Sequence, residues 1–187
     1  MSKLINKYLP DYHFRSEHDL PVRAPAPKAF AAWRSLDMGR SSLIRSLFWL
    51  RQLPMRMLNP GYQGPGLGFT FEDFIKLGFI PLGDDPPREI LLGLVGRFWT
   101  LKPDLQQLTP GGFLAFDQEG FAKVVTCLAV QDQGPETSRI YTETRILCLG
   151  RKAARRFGLY WTIIGPFSGL IRREWLRLVK KEAEAGS

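Results

Sequence analysis

Gly120-Phe-Ala-Lys-Val-Val-Thr-Cys-Leu-Ala-Val130 and Arg139-Ile-Tyr-Thr-Glu-Thr-Arg-Ile-Leu-Cys-Leu149, joined by Gln131-Asp-Gln-Gly-Pro-Glu136, are the clearest strands in the chain. Two apolar-rich runs around a polar turn cluster read as an antiparallel hairpin. From Arg151 the period becomes helical. Phe157, Tyr160, Trp161, Ile164, Phe167, Ile171, Trp175 and Leu178 follow one side, while Arg172, Arg173, Arg177, Lys180 and Lys181 are assigned to the other. Gly165-Pro166 interrupts this run, and a proline inside a helix costs about 3 kcal/mol, so a kink or two helices end to end is expected.

Upstream, residues 12–24 read as a first strand ending at Pro25-Ala-Pro27. Ala29, Phe30, Trp33 and Leu36 then have helical spacing, with Gly39 as a stop. Ser41 or Ser42 can cap a second helix carrying Leu43, Leu47 and Leu50 on one face and ending near Leu53, before Pro54. Residues 59–68 form a Gly- and Pro-rich loop. Residues 70–77 read as a short helix capped by Thr70 and closed by Gly78, with Phe71, Phe74 and Ile75 pointing inward. Past Gly78 the period falls to 2. Phe79–Leu82 and Arg88–Trp99 form a hairpin whose second strand, apolar on both faces, should lie inside the sheet. A short helix is expected around residues 110–116.

Strand, helices, antiparallel strands and one long closing helix make an α+β chain of one domain over residues 1–187, the size and 44% hydrophobic content being ordinary for a single core. This order resembles the helix-grip fold of the START and Bet v 1-like superfamily, which includes polyketide cyclase-like SRPBCC proteins. Local support comes from Val22-Arg-Ala-Pro25 through Phe30 and Trp33, from Thr142-Glu-Thr-Arg145, and from the stretch Tyr160 to Arg173, which looks like the closing helix of a bacterial subgroup of unassigned function. The resemblance implies a curved antiparallel sheet wrapped around the helix over residues 151–185. Residues 40–78 would be a helical insertion at the pocket mouth, or a lid. It also implies binding of a lipid, polyketide-like or other apolar molecule, or, in a minority of members, cyclisation, dehydration or hydrolysis.

In that reading Leu50, Phe74, Leu92, Leu94, Trp99, Phe157, Trp161, Ile164 and Phe167 line a ligand cavity, the alternative being that they pack as a dry core. Glu143 and Arg145 share a strand face with Tyr141, and Arg97 is placed within reach. They offer a general base and an oxyanion partner for a cyclase- or hydrolase-type reaction. Against this, the opposite parity, Ile140, Thr142, Thr144 and Ile146, is the more apolar, which puts Glu143 and Arg145 on solvent as an ordinary ion pair.

The net charge of +8 is concentrated, with nine Lys/Arg against three Glu in residues 151–187. A solvated face, an anionic membrane or an acidic partner all suit it, the Leu43–Leu58 segment being a candidate for lying on a membrane. Nucleic acid is not expected, for no base-reading motif is present. Nor is a metal or cofactor, since His13 and His18 fall on opposite strand faces and no ligand cluster or phosphate loop occurs. Cys127 and Cys148 are expected as reduced thiols, from a register with Val130 opposite Arg139. With no run of signal-peptide or membrane-spanning length, the chain reads as cytoplasmic.

Overall fold

The computed structural model describes residues 3–37, 39, 41–46, 70–100 and 104–185. Leu50, the end of the second helix, the 59–68 loop and most of the Leu43–Leu58 membrane segment lie outside them, as does the side chain of Phe71. Five strands, β1 (Phe14–Val22), β2 (Ile80–Asp85), β3 (Glu89–Gly96), β4 (Ala122–Gly134) and β5 (Thr137–Cys148), pair antiparallel in the order β1-β5-β4-β3-β2. The helices that lie wholly within the described residues are α1 (Lys3–Tyr8), α2 (Ala26–Ser35), α3 (Phe71–Lys76), α4 (Pro110–Ala115) and α5 (Arg151–Glu184), and residues 42–46 are helical as well, with the Ser41 hydroxyl accepting from the Ile44 N–H. With α5 laid across one face of the open sheet, this is the helix-grip arrangement.

The β4–β5 register is one residue from that expected, with Val130 opposite Ile140 and Gln131 opposite Arg139. A bulge between Asp132 and Gly134 absorbs the odd residue, and Gly134 sits at φ 149°, a region side chains avoid. Cys127 therefore faces Glu143 and Cys148 faces Ala122, and both are buried and form no disulfide.

Pro25 occupies the N-cap position of α2 in extended conformation, Pro27 falls in the first turn, and Ala29, Phe30 and Trp33 are buried. Thr70 closes a capping box with Asp73, its hydroxyl accepting from the Asp73 N–H. Ile75 is not inward but exposed, whereas Phe74 stacks on Trp175 at 5.8 Å and meets Phe79 edge-on at 5.3 Å. Nor is α5 two helices. It runs unbroken through Pro166, which falls on the outward side where its ring meets solvent.

Both faces of the sheet are covered. On the inner face α5 and α2 seal two apolar clusters. One centres on Trp33, Ile140, Leu176 and Val179, the other on Phe14, Ile146, Ala153 and Phe157. The outer face carries a third cluster under α1 and α4, built from Ile5, Leu9, Phe113, Val125 and Cys127. Sequence periodicity gives no hint of α1. Six residues are too few to show an amphipathic repeat, and burial of Ile5 at 0% and Leu9 at 2% exposure is what anchors it.

Candidate functional site

Alternation along each strand sends Phe14, Ser16, His18 and Leu20 of β1 toward α5, together with Ile140, Thr142, Thr144 and Ile146 of β5. Thr126 and Val124 of β4 and Leu92 and Leu94 of β3 share that face through the register. The two ends of this inner face are apolar and closed. Its middle is neither. Ser16, His18, Thr126, Thr142 and Thr144 lie there, and the inward line of α5 passes over them with Gly165, Ser168, Gly169 and Arg172. Leu94 and Val124 are only half-buried although β3 and β4 are interior strands, Val124 at the margin of the Phe157 cluster, and Ile164 on the helix is half-buried too. A cleft of about 410 Å³ opens beside this middle section between β1 and α5, lined by Ser16, His18, Gly165, Gly169 and Arg173 among others.

Arg172 is the centre of the site. Its terminal nitrogen donates to the Thr144 hydroxyl, which lies 2.9 Å from the Thr126 hydroxyl. The Arg172 Nε, the Thr142 Oγ1 and the Trp175 Nε1 are buried with no hydrogen-bond partner among the described residues. Burial lowers the Arg172 guanidinium to about 10. Yet the residue is only half-buried by surface, as befits a side chain that borders a gap rather than one set in solid core. Burial also lowers His18, with Arg172 and Arg173 acting in the same direction, and its Nε2 lies 3.3 Å from the Ser16 hydroxyl. Glu174 is turned away, paired with Arg177 at 3.8 Å and accepting from Ser41 at 3.1 Å.

The expected polar group is elsewhere. Glu143 and Arg145 are not solvent-exposed, being 1% and 6% exposed, and they occupy the outer face with the sheet between them and α5. Glu143 accepts from Arg145 Nε at 2.8 Å and Arg15 Nε at 2.9 Å. Arg145 also donates to Asn6 Oδ1 at 2.7 Å and the Leu9 carbonyl at 3.1 Å, clasping the N-terminal segment, and lies over the Tyr12 ring. The more apolar parity of β5 does face α5, and the other parity is shielded from solvent because α1 and the residues after it cover it. Tyr141 lies in the outer cluster, its phenol pushed up by burial. Arg97 joins neither group. It lies over the Phe121 ring at 4.3 Å and pairs with Asp104 at 3.8 Å. A reaction in the gap has no access to Glu143, Arg145 or Tyr141.

Of the expected lining residues, Leu92 and Leu94 lie on the inner face of β3, Leu92 buried and Leu94 half-buried, and Ile164 on α5 is half-buried. Phe157, Trp161 and Trp99 instead stack with one another and plug one end, Trp161 on Phe157 at 5.6 Å and Trp99 edge-on at 5.9 Å. Phe74 packs on Trp175 at the other end, and Phe167 points outward, 38% exposed. Arg172, which its charge assigns to the outer side, lies on the inner one. Its phase accounts for this: eleven residues past Trp161 is about 20° beyond three full turns, on the same inward line. Thr142 and Thr144 share the apolar parity of β5 yet bring hydroxyls to it, that of Thr144 meeting Arg172 and Thr126.

No protein-family model and no curated protein matches the chain. Solved structures do. A conserved protein from Geobacillus kaustophilus is 11% identical with a TM-score of 0.45, covering 91% of this chain and 95% of its own. Norcoclaurine synthase from Thalictrum flavum in complex with dopamine and hydroxybenzaldehyde is 12% identical at TM-score 0.42, over 93% and 88%. The Zhui aromatase/cyclase from Streptomyces sp. R1128 is 11% identical at 0.37, over 91% and 93%. The helix-grip arrangement is established here by the strand order and the closing helix on their own. At such scores the neighbours carry nothing about what this chain binds.

Proposed function

We propose that the protein binds a small, predominantly apolar ligand between the inner face of the sheet and α5. The observation that carries this reading is the half-burial of Leu94 on an interior strand, beside Val124, which is itself half-buried at the margin of the apolar cluster around Phe157. Buried apolar surface contributes roughly 25 cal/mol per Å², so an unfilled apolar wall is a binding surface for any molecule that fits it. Titration with a neutral fluorescent apolar probe such as Nile red tests it. Saturable binding of one probe per chain is expected, and Val124→Trp, which fills the gap, should abolish it while leaving the far-ultraviolet circular dichroism intact. Probe binding undiminished in Val124→Trp would place the ligand elsewhere.

A second reading rests on a separate observation. Leu159, Ile163, Phe167 and Leu170 form an exposed stripe on the outward side of α5, Leu159 at 75% and Ile163 at 67%, beside the exposed Arg155, Arg156 and Arg173. We infer contact of this side with an anionic membrane surface. Co-sedimentation with phosphatidylserine vesicles that weakens as salt rises, and is lost in Leu159→Glu/Ile163→Glu, is the expected result; equal sedimentation with phosphatidylcholine vesicles would refute the electrostatic part.

A further inference from the structure

We propose that the ligand of the gap is an amphipathic carboxylate whose head group is held by Arg172, Thr142 and Thr144 and whose apolar body lies along Leu94 and Val124. This rests on the ligand-binding reading above and names the chemistry of its ligand.

The argument begins with a missing counter-ion. All eighteen Asp and Glu of the chain fall within the described residues, and none lies within ion-pair distance of Arg172. The nearest acid in sequence, Glu174, is engaged with Ser41 and Arg177; Glu143 is on the far face of the sheet. A guanidinium whose Nε is buried and unpaired, and which only a hydroxyl and no carboxylate meets, is unfavourable, and a protein keeps one where something else supplies the negative charge. The surrounding polar atoms have the matching chemistry. Arg172 Nε is an unpaired donor, and Thr142 Oγ1, at 0% exposure, is an unpaired hydroxyl on the same strand face as Thr144. Donors of this number with one formal charge suit a monoanion, and the planar guanidinium edge suits a carboxylate. A dianionic phosphate fits less well: among the described residues the middle of the gap has one buried cation, and His18 is biased toward its neutral form. The apolar residues on either side require the remainder of the ligand to be hydrocarbon-like.

The test compares two probes of equal length and different head, decanoate and decanol, by isothermal titration calorimetry. The wild-type protein should bind decanoate about tenfold or more tightly than decanol, with little change between 0.15 and 1 M salt, because a buried pair is poorly screened. In Arg172→Met that preference should vanish while decanol binding stays. Thr142→Val should reduce it several-fold in a protein whose shape is nearly unaltered, and this variant carries the test should Arg172→Met fail to fold. Equal affinity for the two probes in the wild type, or a preference that survives both substitutions, would overturn the carboxylate proposal and leave the apolar-ligand reading standing. Failure of both probes to bind at any chain length from eight to sixteen carbons would overturn the two together.

Discussion

Replacing Glu143 by Gln removes the charge shared by Arg145 and Arg15 while keeping side-chain volume. Taking away one partner of a buried ion pair costs about 3–5 kcal/mol, chiefly because the other charge stays buried and uncompensated. Here the lower end applies. Arg15 is 29% exposed and regains water, and Arg145 keeps its bonds to Asn6 and the Leu9 carbonyl. We expect a loss of about 3 kcal/mol. At about 2–4 °C per kcal/mol for a chain of this length, that is a fall of about 6–12 °C in Tm. Urea unfolding with an unchanged m-value checks the free energy, and thermal circular dichroism checks the shift. The double variant Glu143→Leu/Arg145→Met should recover at least half of the loss, since neither charge is then stranded. Probe binding in the gap should be unaffected in every variant, the pair being on the opposite face. A Glu143→Gln protein within about 0.5 kcal/mol of wild type would refute the claim that this pair clasps the N-terminal segment.

Three further outcomes follow from other parts of the structure. Gly93→Ala places a Cβ 2.8 Å from Leu82 Cδ1 and 3.1 Å from Phe113 Cδ2, so about 1–3 kcal/mol should be lost by overpacking, part of it returned by Leu82→Ala in the same chain. His18 is lowered below its ordinary 6.5 by burial, then by Arg172 and Arg173, so the unfolded chain binds its proton more readily than the folded one. Stability should therefore be full above pH 6.5 and decline as pH falls toward the folded-state value. His18→Gln should flatten that part of the Tm profile, and an identical slope in the variant would assign it to other groups. Cys148 is buried, its thiol pushed up to about 12 by desolvation, so both thiols should resist Ellman's reagent at pH 8 until denaturant is added. Rapid reaction of either in the native protein would contradict their burial.

Chain order alone was enough for the architecture. Alternation over 120–130 and 139–149, the prolines at 25 and 27, the Thr70 cap and the long aromatic stripe after Arg151 are local signals, and local backbone and side-chain preferences produced the elements they indicate. So was the inner parity of β5. Three things were not local. Burial of Glu143 and Arg145 depends on α1, which lies more than a hundred residues away and has too few residues to announce itself. The register of the β4–β5 hairpin depends on where the turn places its bulge. The inward position of Arg172 depends on what it meets across the gap, and charge by itself argued for the outside. Periodicity tells which residues share a face, because it is a property of one element. Whether that face meets water, apolar side chains or an unfilled space is a property of what folds over it, and only the tertiary structure brings Thr144, Thr142 and Arg172 together around an uncompensated charge.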